Sequence, residues 1–141
     1  MPDDDHCEGL KPFDWVLCKL GFNTSESFRK TLKVVNEVPS DIRELANEQI
    51  ALMPKASLVE RTVAIEQVLR ENQLYDAAFQ MSLIIPQLVQ PSDRRGFTTI
   101  CTALENRAFN LEKLGRTSEA KDIRTLASYV GSPRSRSKNR Q

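Results

Sequence analysis

The stretch Tyr75–Val89, YDAAFQMSLIIPQLV, constrains the fold of this chain more than any other part of it. Ten of its fifteen residues are apolar, and Asp76 carries its only charge. At about 100° per residue most of the apolar residues share one face of a helix, while Phe79 and Leu83 point the other way. A helix that is apolar on both sides needs neighbours on both sides, so we expect other helices to pack against its two faces.

The composition agrees with a helical domain. The chain has 141 residues, of which 40% are hydrophobic and 28% charged, as in an ordinary soluble domain. No stretch alternates apolar and polar residues over the length of a strand, and no apolar run approaches the roughly 20 residues of a membrane span. We therefore expect an all-α fold and no association with a membrane.

Start and stop signals divide the chain into about seven helices. A tight corner at Pro39 predicts that the second and third helices form an antiparallel hairpin. Pro86 predicts a kink or an end near Ile85, because proline removes an interior hydrogen bond. The predicted helices run from Pro12 to Gly21, from the Thr24-Ser25-Glu26 start to Pro39, from the Ser40-Asp41 cap to Pro54, from the Ser57/Glu60 capping box to about Asn72, from Tyr75 to Val89, from Asp93 to Leu114 and from Thr117 to Val130.

Helical periodicity also assigns individual side chains to the core or to the surface. We expect Leu45, Phe97 and Leu126 to be buried and Asn47 to be exposed. Trp15 lies off the apolar stripe of the first helix, and we expect it to pack under the next element.

The two ends differ from the middle in charge. The first eight residues carry four acidic residues, and the last eleven carry four basic ones. Neither end has enough apolar surface to offset the entropy of ordering it. We therefore divide the chain into a flexible acidic N-terminus (1–10), a single helical-repeat domain (11–131) and a flexible basic tail (132–141).

Three cysteines, Cys7, Cys18 and Cys101, form an odd set without metal-ligand spacing. Nothing at the start of the chain resembles a secretory signal. We therefore expect reduced thiols and a cytoplasmic localisation.

The C-terminal half resembles the tetratricopeptide repeat. An offset of 42 residues aligns Leu69 with Leu111 and Ala78 with Ala120. The residues that carry the resemblance are Leu104, Ala108, Leu111, the Leu114-Gly115-Arg116 corner, Ala120 and Ala127. Arg107, Arg124 and Glu66 depart from the pattern, and the likeness, over about 59–133, is weak in the first unit. It implies stacked antiparallel helical hairpins in a right-handed solenoid; an array or bundle of another kind would show the same periodicity.

The resemblance also implies a function and a site. Tetratricopeptide repeats are protein–protein interaction modules, so it implies an adaptor or chaperone-like subunit that holds a peptide or helix of a partner in a groove between hairpins. The residues that it places in that groove are Glu60, Val63, Gln67, Arg70, Thr102, Glu105, Phe109 and Glu112. Phe109 would anchor the partner, and Glu105 and Glu112 beside it would favour a partner segment with lysine or arginine. The alternative is that Phe109 packs against the fourth helix.

Other functions have less support. The sole histidine, His6, lies in the acidic head, where no group can hold it as a general base, and no glycine-rich loop or metal-ligand set is present, so we expect no enzyme, no cofactor and no metal site. Two alternatives stay open. The chain could be a self-associating structural subunit or assembly factor, or it could bind nucleic acid through the basic tail, although no aromatic residue is interleaved there for base stacking.

Overall fold

A computed structural model describes residues 7–22, 25–90, 92 and 94–131, apart from the side chains of residues 94 and 131. These ranges contain seven helices and no strand, which confirms the predicted all-α class. None of the helices described is long and apolar enough to cross a bilayer. Of the two predicted flexible ends, only residues 7–10 fall within the described ranges. The helices are α1 (Pro12–Gly21), α2 (Glu26–Val35), α3 (Ser40–Ala51), α4 (Leu58–Glu71), α5 (Tyr75–Leu88), α6 (Arg94–Lys113) and α7 (Thr117–Gly131).

Helix α5 is covered on both faces, as its sequence predicts. It packs against α2, α4 and α6. Its residues Ala78, Met81 and Ile84 are fully buried in a core shared with α1 to α4. Phe79 joins a second core with Ala108, Leu111 and Ala120, and Leu83 packs against that core. The two faces of this helix therefore connect the N-terminal and C-terminal halves of the domain.

Pro86 lies inside α5, and the helix continues to Leu88 instead of ending near Ile85. Proline has no N–H, so the carbonyl of Ser82, four residues earlier, loses its helical donor. The Nη2 of Arg107 on α6 lies 3.5 Å from that carbonyl oxygen and donates to it. A side chain from the neighbouring helix thus supplies the donor that the proline removes.

The predicted hairpin of α2 and α3 is wrong. These two helices do not pack along each other; α2 packs against α5, and α3 packs against α1 and α4. The hydroxyl of Thr31 on α2 donates to the backbone carbonyl of Gln80 on α5 at 3.4 Å. The prediction rested on the short connection, which limits how far two helices can separate but does not decide which faces meet. Helix α1 fills the space between them and contacts α2, α3 and α4.

Asn47 is buried, contrary to the prediction, and it serves the start of α1. The N-cap position of α1, Lys11, makes no side-chain capping bond. The Oδ1 of Asn47 on α3 instead accepts from the backbone N–H of Phe13 at 2.7 Å. One of the unpaired amides at the N-terminus of α1 is therefore satisfied by another helix.

Three apolar side chains predicted to be buried are exposed: Leu45 by 41%, Phe97 by 39% and Leu126 by 47%. The buried face of α3 turns through Ala46 and Ile50, and Leu45 lies beyond its edge. Leu126 is exposed on α7, which packs mainly against α6 and whose Ala120 is buried in the second core. Trp15 packs against the core, and the guanidinium of Arg61 on α4, not the following helix α2, lies 4.2 Å from its ring centroid.

The expectation of reduced cysteines is wrong for one pair, because Cys7 and Cys18 form a disulfide. The chain reverses between them at Gly9, and Cys7 is fully buried against α1. Spacing along the sequence could not reveal this pair, since the approach of the two Cα atoms to 5.8 Å depends on that reversal. The cytoplasmic localisation rested partly on reduced thiols; it loses that support and stays a prediction.

Two helix ends share one geometry at the offset of 42 residues. At the end of α4, Leu74 N–H donates to the carbonyl of Leu69, and Gln73 has a positive φ of 67°. At the end of α6, Arg116 N–H donates to the carbonyl of Leu111, and Gly115 has a φ of 82°. Both helices end in a Schellman motif. A residue with left-handed backbone angles, together with the residue after it, donates its N–H to a carbonyl of the last helical turn. Gln73 and Gly115 therefore occupy equivalent corners, but only one of them is glycine.

The first testable prediction follows from that difference. A non-glycine residue in the left-handed region carries a steric cost of about 1–2 kcal/mol, offset in part by the greater chain entropy of glycine when unfolded. Gln73→Gly should raise the free energy of unfolding by about 0.5–1 kcal/mol. Gly115→Gln, the matched reverse exchange, should lower it by a similar amount. A Cβ at Gly115 meets nothing within 4 Å, so its cost comes from the backbone alone. Urea denaturation measures the unfolding free energy of both variants. A Gln73→Gly variant less stable than the wild type would contradict a left-handed conformation at Gln73.

Candidate partner-binding groove

A groove of about 520 Å³ runs along α4, between the end of α3 and one residue of α6. Its residues come from α3 and the turn after it, from consecutive turns of α4 and from Thr99 of α6. They are Gln49, Leu52, Met53, Val59, Glu60, Val63, Ala64, Gln67, Val68, Glu71 and Thr99. The Ser57/Glu60 capping box begins α4 as predicted, with bonds of 3.1 and 3.3 Å between the two residues, and so fixes one end of the groove.

The groove has an apolar interior and a polar rim. Leu52 is 78% exposed and stands on the α3 side beside Met53, facing Val59 and Val63 of α4. Polar groups of the rim include the amide of Gln67, which donates to the carboxylate of Glu71 at 3.2 Å. Exposed apolar surface ringed by polar side chains is typical of interaction sites.

The structure brings together only some of the eight residues predicted from the resemblance. Glu60, Val63 and Gln67 line the groove. Thr102 and Glu105 are exposed on α6 and do not line it. Glu112 is ion-paired with Arg124 of α7. The remaining two, Arg70 and Phe109, meet at the other end of α4.

Phe109 is 36% exposed and lies in an aromatic and cationic cluster. Its ring meets the edge of Tyr75 at a centroid distance of 6.1 Å. The Arg70 guanidinium and the Lys113 ammonium lie 5.9 and 5.3 Å from the ring centroid. Phe109 thus packs against α4 and the start of α5, and two cations lie near its ring as well as the acidic residues that neighbour it in sequence.

The most constrained polar residue, Glu66, was not among the predicted site residues. Its side chain is fully buried on α4. One carboxylate oxygen accepts from Asn106 Nδ2 at 2.9 Å. The other accepts from Asn110 Nδ2 at 3.0 Å and from Arg70 Nε at 3.2 Å. Glu66 therefore ties α4 to α6 and also holds Arg70 beneath Phe109.

A signal for this network was present in the sequence. Glu66 occupies a small-residue position of the repeat pattern, and Asn110 adjoins the apolar stripe of α6. Polar residues on buried faces of two helices indicate a shared polar contact, because a buried charge needs partners. Which faces of α4 and α6 meet, however, depends on tertiary packing.

Burial raises the pKa of Glu66 above its ordinary value of 4.5, and the hydrogen bonds from Asn110, Arg70 and Asn106 offset part of that rise. The pKa of Glu60 moves the other way, because its hydrogen bonds with Ser57 stabilise the carboxylate. Burial lowers the pKa of Arg107. With its lowered pKa, the Glu60 carboxyl at one end of the groove is ionised at neutral pH.

In the part of the chain that the structure describes, no group of three or more metal-binding side chains comes together. His6 and the basic tail lie outside the described residues. No protein-family model, curated protein or solved structure matches the chain.

The second prediction concerns Glu66 and pH. Between its ordinary pKa and its raised folded value, the folded state binds more protons than the unfolded state, so folding stability falls as pH rises through that window. Glu66→Gln cannot ionise, and it should lack that fall. The difference in unfolding free energy, Gln variant minus wild type, should therefore increase with pH, as urea denaturation at a series of pH values would measure. Parallel curves for the two proteins would contradict the raised pKa.

Proposed function

We propose that this protein is a protein–protein interaction module, an adaptor or chaperone-like subunit that binds a peptide or a helix of a partner. The observation that carries the proposal is the 78% exposure of Leu52 at the α3–α4 groove. Contact of apolar surface with water costs about 25 cal/mol of free energy per Å². A partner side chain that covers this surface would remove that cost. Met53, Val59 and Val63 extend the same apolar surface.

We also propose that α4–α5 and α6–α7 are two units of a tetratricopeptide-like array. The equivalent corners at Gln73 and Gly115 support this proposal, since both units turn with the same hydrogen bonds. In each unit the two consecutive helices pack against each other, α4 against α5 and α6 against α7, which also supports the proposal. Helices α1 to α3 pack differently and close the other end of the array.

The third prediction tests the groove. The experiment is a pull-down with the tagged protein from an extract of its source cell. Leu52→Ser should reduce the amount of a specific partner that is captured by about ten-fold or more, as loss of an interface anchor does. Leu45→Ser is the matched control. Leu45 is an exposed leucine on α3 that does not line the groove, whereas Leu52, just after the end of α3, does. Both leucines are on the surface, so both variants should unfold within about 0.5 kcal/mol of wild type.

Equal capture by the wild type and both leucine variants would contradict the groove as the binding surface. If Phe109→Ala reduced capture and Leu52→Ser did not, the aromatic cluster around Phe109 would be the binding surface in place of the groove.

A second candidate function, a self-associating subunit, is favoured by the outer face of α7. Tyr129 is 68% exposed and Leu126 is 47% exposed on this terminal helix. A helix array whose last member shows apolar side chains can add a further helix or a second copy there.

The fourth prediction tests this candidate by light scattering. If α7 mediates self-association, the mass of the isolated protein should rise with concentration, and Leu126→Ser with Tyr129→Ser should remove the rise. A mass that stays monomeric up to about 100 µM, well above ordinary cellular protein levels, would eliminate the candidate.

A further inference from the structure

The chemistry of the groove narrows the kind of partner segment that it can hold, given the proposed function on which this inference rests. Peptides are recognised in a few recurring modes. Addition of a strand needs a sheet edge, and the described residues contain no strand. Polyproline segments need an aromatic-lined groove, and phosphorylated or acidic motifs need a cluster of arginines. The groove is lined by neither aromatic nor basic side chains. The recurring mode that matches an apolar groove is an amphipathic helix laid into it.

The dimensions of the groove fit this mode. Its α4 side extends from Val59 to Glu71, which is about 18 Å at 1.5 Å per residue. Three turns of a partner helix span that length and present apolar residues at i, i+3, i+4 and i+7 to one side. The volume of about 520 Å³ accommodates the side chains of that face while the helix itself lies on the rim.

Charge distinguishes the two ends of the groove. The groove is lined by two carboxylates: Glu60 lies in the first turn of α4, and Glu71 is the last residue of the same helix. Near Glu60 there are cations, because the charge of Arg95 contributes to the lowered pKa of Glu60 and Lys55 lines an adjoining pocket with it. At the other end of the groove the neighbouring cation is Arg70, which donates to the buried Glu66. Among the hydrogen bonds of the described groove residues, Glu71 accepts one from the neutral amide of Gln67.

We propose that the groove binds an amphipathic helix whose apolar face covers Leu52 and Val63 and which carries a lysine or arginine over Glu71. Complementary charge at the rim would select such a helix over an acidic one and accelerate its association. The apolar interior would supply most of the affinity, because rim charges remain hydrated.

The test uses three fluorescent peptides of about 18 residues with identical leucine positions at helical spacing and with lysine, glutamine or glutamate at the polar positions. Fluorescence anisotropy measures their dissociation constants at about 50 and about 300 mM NaCl, where screening differs strongly. We expect the lysine peptide to bind about ten-fold more tightly than the glutamate peptide at low salt, and the ratio to shrink at high salt.

Glu71→Lys should weaken the lysine peptide by about five-fold at low salt. A lysine in the last turn of α4 suits the helix dipole, so this variant should remain folded. Asp122→Lys is the control, since it reverses an exposed acidic charge on α7, which does not line the groove. It should weaken the same peptide less than two-fold, because a charge outside the groove acts on the peptide only through screened solvent.

Each contrary result is informative. Equal or tighter binding of the glutamine or glutamate peptide, or equal effects of Glu71→Lys and Asp122→Lys, would overturn the inference about charge and leave the proposed function standing. If no peptide binds while capture from the extract still depends on Leu52, the helical occupant is wrong and the groove stands. Self-association that Leu52→Ser abolishes would assign the groove to a second copy of the chain. Capture that is independent of Leu52 would overturn the proposed function itself.

Discussion

The two-sided burial of α5 is the constraint on which the rest of the structure depends. A helix with apolar residues around most of its circumference is stable only when other helices exclude water from both sides. Here α2 and α4 cover one part of it and α6 another. Its buried residues, among them Met81 and Ile84, connect helices that are distant in sequence. The position of every other helix follows from which part of α5 it covers, directly or through a neighbour.

Polar contacts then fix how those helices are rotated and where they start. Apolar packing tolerates small rotations of a helix, whereas a buried carboxylate does not, because each of its hydrogen bonds has a required direction. Glu66 joins α4 to α6, Asn47 satisfies the first turn of α1, and Arg107 compensates for the proline of α5. With α4 held in this way, Val63, which lies one turn before Glu66, lines the groove. The geometry of the candidate site thus depends on polar residues that do not line it.

The groove and the aromatic cluster at Phe109 lie on either side of the same network. Glu66 accepts from Arg70, which also lies against the ring of Phe109, and the neighbouring Glu71 accepts from the neutral amide of Gln67. Of the two acidic residues expected beside Phe109, Glu112 pairs with Arg124, and Lys113 lies near the ring. Glu71 thus lines the groove, whereas the cations Arg70 and Lys113 lie beside Phe109.

Local chemistry in the sequence by itself determined the helical class, most helix boundaries and the capping box at Ser57, because caps, prolines and the 3.6-residue period act within one or two turns. The same period identified the covered faces of α5. Glu60, Val63 and Gln67, which line the groove, were instead implied by the resemblance to the tetratricopeptide repeat. Only the tertiary structure decided that α2 packs on α5 instead of on α3, that Cys7 meets Cys18, and that Glu66 is the centre of a buried network. These contacts join residues 11 to about 50 positions apart, and the free energy that selects them comes from matching whole faces, which no local pattern encodes.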